Sequence, residues 1–260
     1  MRLCLTSIVL LSISQYAIAD ATLNFKLTPE SGEPHSISYA IKDQQLRLTE
    51  STSERINLFN QTLKQFISYD PKSGKAEMIN AQILEQRVNQ LNRQRLEKLA
   101  AVKKQLDIKL EKMTAREREI GEELVNQLAY PEYYGEHTLL KVVPTEATKQ
   151  IAGVECKVYQ LIKEKDRLKE FCVARQQAMN LSEQDYQTLR HFYAFDYNML
   201  SRLMLAMGKS SFTIIDYDKN DMPGIIIETI EFKQSLMTQH MILTGFDANS
   251  IDPDMFKRPE

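Results

Sequence analysis

Cys156 and Cys172, in the stretch GVECKVYQLIKEKDRLKEFC, carry the most chemistry this sequence offers. Two cysteines can hold a metal, cycle as a redox couple or form a structural bridge. Zinc ordinarily takes four ligands, and His35, His137, His191 and His240 are scattered without ligand spacing. A redox pair ordinarily reads C-x-x-C, which is absent here. A structural disulfide is the favoured reading. Segments 154–162 and 168–174 alternate and are rich in β-formers, and the charged Lys163-Glu164-Lys165-Asp166-Arg167 between them reads as a hairpin loop. A register with Gln160 opposite Leu168 sets Cys156 opposite Cys172, within bridging reach.

No other constellation points to catalysis. The sequence has no G-x-S-x-G, no H-E-x-x-H and no cysteine beside a histidine. Asp216, Asp218 and Asp221 cluster in DYDKND, but the glycine and closing glutamate of a calcium loop are missing, so the cluster reads as a polar turn. Glu228 and Glu231 are expected on opposite faces of one strand. Neither a metal nor a cofactor is expected, and the chain reads as non-enzymatic.

The compartment supports the bridge. The N-terminus, MRLCLTSIVLLSISQYAIAD, has a positive charge at Arg2, an apolar run over 3–13 and a small-residue site at Ala17-Ile18-Ala19. This is the pattern of a signal peptide, residues 1–19, cleaved after Ala19. Cleavage would remove Cys4 and leave an even pair of cysteines in an oxidising compartment, the periplasm. No later run is long and apolar enough for a transmembrane helix. Losing Arg2 moves the formal net charge from −2 to −3, which gives no basic excess for nucleic acid. With only 8 glycines and no Gly-rich loop, a phosphate cradle has no backbone to form it.

The elements that must position these residues fall into blocks. Alternating runs at 21–28, 35–42, 44–50, 56–60, 63–70 and 75–80, separated by turn residues, predict an antiparallel meander. Over 81–128 the period changes to three and four, with Leu84, Val88, Leu91, Leu99, Val102, Leu106, Leu110 and Met113 on a stripe. Thr114-Ala115-Arg116-Glu117 reads as a capping box that opens a second, returning helix. The pair is expected to be an insert, coiled-coil-like, held by basic residues of the first helix against acidic residues of the second. Strands are expected again at 137–143, in the cysteine hairpin, and at 211–218, 224–232 and 236–246. Between them Ser182 caps a helix over 183–207, closed by Gly208 and apolar almost all round. The fold class is α+β: residues 20–260 form one domain, a sheet with a helical insert at 81–128 and one buried helix.

Several stretches resemble a family of bacterial exported proteins of unknown function. TKQIAGVECKVYQL is similar to its T…IAGYEC…Y segment, and FDANSIDPDMFKRP to its IDPSLFEVP ending. MTAREREIGEELVNQL stands where that family has PPEQR and a helix, with Thr114-Ala115 in place of Pro-Pro. NDMPGIIIETIEF resembles its G-I/L-P-V strand, although Pro223 here precedes Gly224. The family looks related to Lol-type lipoprotein-carrier half-barrels. The resemblance implies a curved antiparallel half-barrel sheet closed by helices, some of whose relatives carry acyl chains.

Two functions follow as expectations. In the first, the helix 183–207 lids a half-barrel cavity for a hydrophobic, acyl or lipid-like ligand, with Phe192, Leu203, Met204 and Met207 lining it. In the second, the helical pair 81–128 is a contact surface for an envelope protein partner. The discriminating observation is whether apolar positions of the pair stay exposed once the two helices have packed.

Overall fold

The computed structural model describes residues 20–110, 113–134, 139–209, 215, 216, 219, 220 and 222–257, with backbone alone for 104–110, 132 and 134. The proposed signal peptide 1–19, His137, Asp218, Asp221 and most of the strand expected at 211–218 lie outside them. Ile215 and Asp216, which are described, are not in a strand.

Six strands come first: β1 (Asp20–Thr28), β2 (His35–Lys42), β3 (Gln45–Glu50), β4 (Ser53–Asn60), β5 (Gln65–Asp70) and β6 (Lys75–Ile79). Helices α1 (Ala81–Leu110), α2 (Ala115–Ala129) and the short α3 (Pro131–Tyr134) follow. Strands β7 (Leu140–Ile151), β8 (Val154–Lys163) and β9 (Asp166–Ala174) lead to α4 (Gln176–Met179) and α5 (Glu183–Ala206). The chain ends with β10 (Ile225–Lys233), β11 (Leu236–Asp247) and a 3-10 turn at Pro253–Phe256.

All the strands join one open antiparallel sheet of 11, in the order β6-β5-β4-β3-β2-β1-β11-β10-β9-β8-β7. The first and last strands pair with each other at its middle, and β6 and β7 form its two edges. The helices α1 to α3 therefore connect one edge to the other. The helical insert expected at 81–128 thus runs between the two edge strands.

Turn chemistry explains the hairpins. Ala152 and Gly153 both have positive φ, 49° and 80°, so IAGV closes the β7–β8 hairpin with a two-residue turn. That signal extends β7 to Ile151, well beyond the strand expected at 137–143. Gly224 is needed for a close approach, because a Cβ there would lie 2.1 Å from the Ala174 carbonyl oxygen.

The main core lies between the sheet and the N-terminal half of α5. Leu23, Phe25, Tyr39, Ile41 and Phe59 from the sheet meet Leu189 and Phe192. Ring centroids stand 5.9 Å apart for Tyr39–Phe192 and 5.7 Å for Phe59–Phe192. The C-terminal half of α5 packs on α1 and the β5–β6 edge of the sheet, where Met199 and Ala206 cluster with Ile79, Leu84 and Val88. Alternation along β2 sends Ala40 to the opposite face, where it packs with Leu58, Ile251 and Phe256 of the chain's end. Asp20 holds that end by accepting hydrogen bonds from the Ile251 N–H and the Lys42 ammonium, both at 2.7 Å.

Candidate functional site

Cys156 and Cys172 have their Sγ atoms 2.08 Å apart and their Cα atoms 5.4 Å apart, a disulfide geometry. The expected register is not the one formed. Gln160 pairs with Glu170 and Val158 with Cys172, so the bridge runs diagonally. A tighter turn and a register shift between Leu161 and Ile162 account for the difference: turn length sets register in a hairpin. Both cysteines are buried in the main core, which suits a structural role.

Beside the bridge lies a charged cluster that the sequence did not signal. Lys149 of β7 reaches Glu228 of β10 at 2.6 Å and Glu170 of β9 at 3.1 Å. Arg167 contacts the same Glu170 at 3.1 Å, and His240 of β11 contacts Glu228 at 3.0 Å. In a flat sheet β7 and β10 would stand about 14 Å apart, so this end of the sheet curls to let the side chains meet. Burial works to lower the Lys149 pKa, but the hydrogen bonds to Glu228 and Glu170 outweigh it and hold the ammonium above its ordinary value. Glu228 is thus a buried carboxylate with cationic and imidazole partners. Glu231 points the other way and pairs with Lys169 at 2.6 Å. Among the described residues no cluster of His, Cys, Asp and Glu could hold a metal ion. His35 pairs with Glu50 at 2.7 Å, and His191 Nδ1 lies 2.8 Å from the Gln187 carbonyl.

The four residues read as cavity lining are divided. Phe192 is 4% exposed and fills the main core. Leu203 packs against the Leu84 and Val88 cluster on α1. Met204 is partly buried. Met207 stands apart from Phe192, on a groove of about 460 Å³ lined also by Leu91, Arg95, Leu99, Val102 and Leu128.

That groove opens where α1, α2 and the end of α5 meet. Thr114 caps α2 as expected: its hydroxyl accepts from the Glu117 N–H, and the Glu117 carboxylate accepts from the Thr114 N–H at 2.9 Å. Arg95 of α1 fixes the far end of α2 by donating to the Leu128 and Ala129 carbonyls at 2.7 and 3.2 Å. Those carbonyls terminate a helix and want a cation. Among the described residues no salt bridge joins the two helices; Lys104, Lys109 and Lys112, which carry part of the expected basic charge, have no described side chains. The hairpin also leaves apolar side chains uncovered. Val102, Ile120, Leu124, Leu128 and Met207 are between 45% and 55% exposed. Ile120, Leu124 and Leu128 recur every four residues and form one stripe along α2. Periodicity had placed these residues on an apolar face; it could not say that the face would be left open.

No helix among the described residues is long and apolar enough to cross a membrane. No family model matches the chain, and no curated protein matches it. Among solved structures it is similar to PNGF-II, with a TM-score of 0.39 and 9% identity over 91% of this chain. It is also similar to MucB, with a TM-score of 0.34 and 7% identity over 93% of this chain. The chain spans 29% of the length of the first and 58% of the second.

Proposed function

We propose that this chain is a non-enzymatic, exported binding protein that docks a partner protein on the open face of its helical hairpin. One observation carries the reading: apolar residues of α1, α2 and the end of α5 stay exposed side by side, while Leu189 and Phe192 in the first half of α5 are buried against the sheet. Isolated exposed apolar residues are ordinary, but a contiguous set marks a contact surface. The sheet, half-barrel-like in this reading, serves as the scaffold, and α5 fills its face. Residues 1–19 direct export to the periplasm and are removed, so N-terminal sequencing of the secreted protein should begin at Asp20.

The direct test is site-specific photo-crosslinking in the periplasm of the source cell. A crosslinker at Leu124 should give a discrete adduct. One at Leu236, exposed on the β10–β11 hairpin, is the control. The same products from both positions would remove the hairpin's claim.

A second reading is favoured by the groove itself. Its 460 Å³ lies in the size range of small-molecule sites, roughly 300–1,000 Å³, and Arg95 and Lys98 line it beside apolar side chains. An acyl chain with an anionic head group fits that chemistry. Native mass spectrometry of protein purified from periplasm would show a co-purified lipid, and an unliganded mass throughout would count against it.

A further inference from the structure

We infer that the partner seated on this face is a second copy of the same chain, in a two-fold symmetric dimer. The inference rests on the docking reading and names its occupant. Three observations lead to it. First, the face carries a ridge and a recess side by side: the stripe Ile120, Leu124, Leu128 on α2, and the groove between α1 and the end of α5. A two-fold axis between them seats each copy's ridge in the other's recess, because an isologous interface pairs every patch with its complement on the same surface.

Second, the two helices of the hairpin carry opposite charge, and Lys98 of α1 lines the groove itself. Over 81–103, α1 has Arg87, Arg93, Arg95, Lys98 and Lys103 against Glu85 and Glu97. On α2, Glu117, Glu119, Glu122 and Glu123 stand against Arg116 and Arg118. A two-fold axis brings the basic α1 of one copy to the acidic α2 of the other, twice. Third, not all of these charges are spent within the chain. Arg87 is paired with Glu77 of β6 and Glu85 with Arg202 of α5, while Arg95 binds carbonyls of α2. Lys98 and Glu123 have no ion-pair partner among the described residues. Because Arg95 sets the end of α2 beside the middle of α1, these two lie at similar heights on the hairpin, near the proposed axis.

The test is the association state of the secreted protein by sedimentation velocity over a range of concentrations. Wild type should show a reversible dimer. Leu124→Glu, at an exposed position that leaves the core untouched, should be monomeric. Lys98→Glu and Glu123→Lys should each weaken the dimer by about three- to tenfold, since each reverses two surface pairs. Mixing the two charge variants should restore it as a heterodimer. The carboxylate introduced at position 98 of one copy then faces the ammonium introduced at position 123 of the other. Across the axis, the unchanged Lys98 of the second copy faces the unchanged Glu123 of the first. An interface that sets position 98 of one copy against position 123 of the other predicts that rescue, so weakened single variants without rescue would overturn it. A wild type that stays monomeric overturns the second copy as occupant, and the apolar dye anilinonaphthalene sulfonate then separates two cases. Dye bound by wild type and lost in Leu124→Glu leaves the face open for another partner. No dye binding by wild type sinks the docking reading as well.

Discussion

At the scale of single residues, burial sets the chemistry of two aspartates on α5. Asp196 has its pKa raised by burial from 3.8 to about 6, and Asp185, despite the Ser182 hydroxyl that donates to it, is also raised by burial to about 6. The native state therefore holds protons that the unfolded chain has released between about pH 4 and pH 6. Stability should fall as pH rises through that window, because the unfolded state binds fewer protons there. Asp196→Asn removes one of the two contributions. It should flatten the pH profile and stabilise the protein above pH 6 by up to about 3 kcal/mol; urea unfolding at pH 4.5 and pH 7.5 measures both. Destabilisation by Asn at pH 7.5 would show that the carboxylate is held by interactions stronger than its desolvation. The disulfide is the other residue-scale device. Its two residues were legible as a pair, since the expected cleavage and the spacing left few alternatives, but the diagonal register was not. A two-residue slip depends on turn geometry that residue types alone do not fix. Replacing both Cys156 and Cys172 with Ser should cost about 3 kcal/mol for a loop of this length. Thiol titration of the unreduced protein should find neither cysteine free.

At the scale of elements, α5 does two different things along its length. Its first half is core helix, and its last turn borders a groove. The sequence showed apolar residues almost all round and so could not distinguish the halves: periodicity reports which positions are apolar and says nothing of what stands opposite. The strands were more legible because alternation and turn residues act locally. Most of β1 to β6 and the cysteine hairpin lie within a few positions of their expected places. The strand that was read short, β7, hid behind Pro144 and a run of polar residues, and its register shift between Pro144 and Thr148 shows how the sheet absorbs them. The difference between the halves of α5 is measurable. Phe192→Ala should cost about 3–5 kcal/mol, since it opens a void among Tyr39, Phe59 and Tyr193. Met207→Ala removes a half-exposed side chain from the groove and should cost less than about 1 kcal/mol. Equal losses in urea unfolding would mean that the groove is already occupied in the purified protein.

At the scale of the whole molecule, the hairpin is both a connector and a surface. A meander numbered in chain order would place β6 beside β7. Instead the termini pair at the middle of the sheet, and the helices carry the chain between edges ten strand spacings apart, about 48 Å along the sheet. A short loop in place of 82–128 could not follow that path. It would also strip Leu84 and Val88 from the cluster that covers Met199 and Ala206. The part of the hairpin beyond Leu99 and before Gly121 is different, because none of its described side chains is buried. Joining residue 99 to residue 121 through a short Gly-Ser turn keeps Leu84, Val88 and Arg95 in place, with the hydrogen bonds from Arg95 to Leu128 and Ala129. That variant should retain the circular dichroism of the sheet and a single cooperative urea transition. The transition midpoint should move little, since mostly solvent-exposed residues are lost. The same variant loses Val102 and Ile120 from the open face, so it should also lose the binding proposed for that face. A trimmed chain that unfolds without cooperativity would place the distal hairpin inside the folding unit and remove the proposed division of labour between scaffold and docking surface.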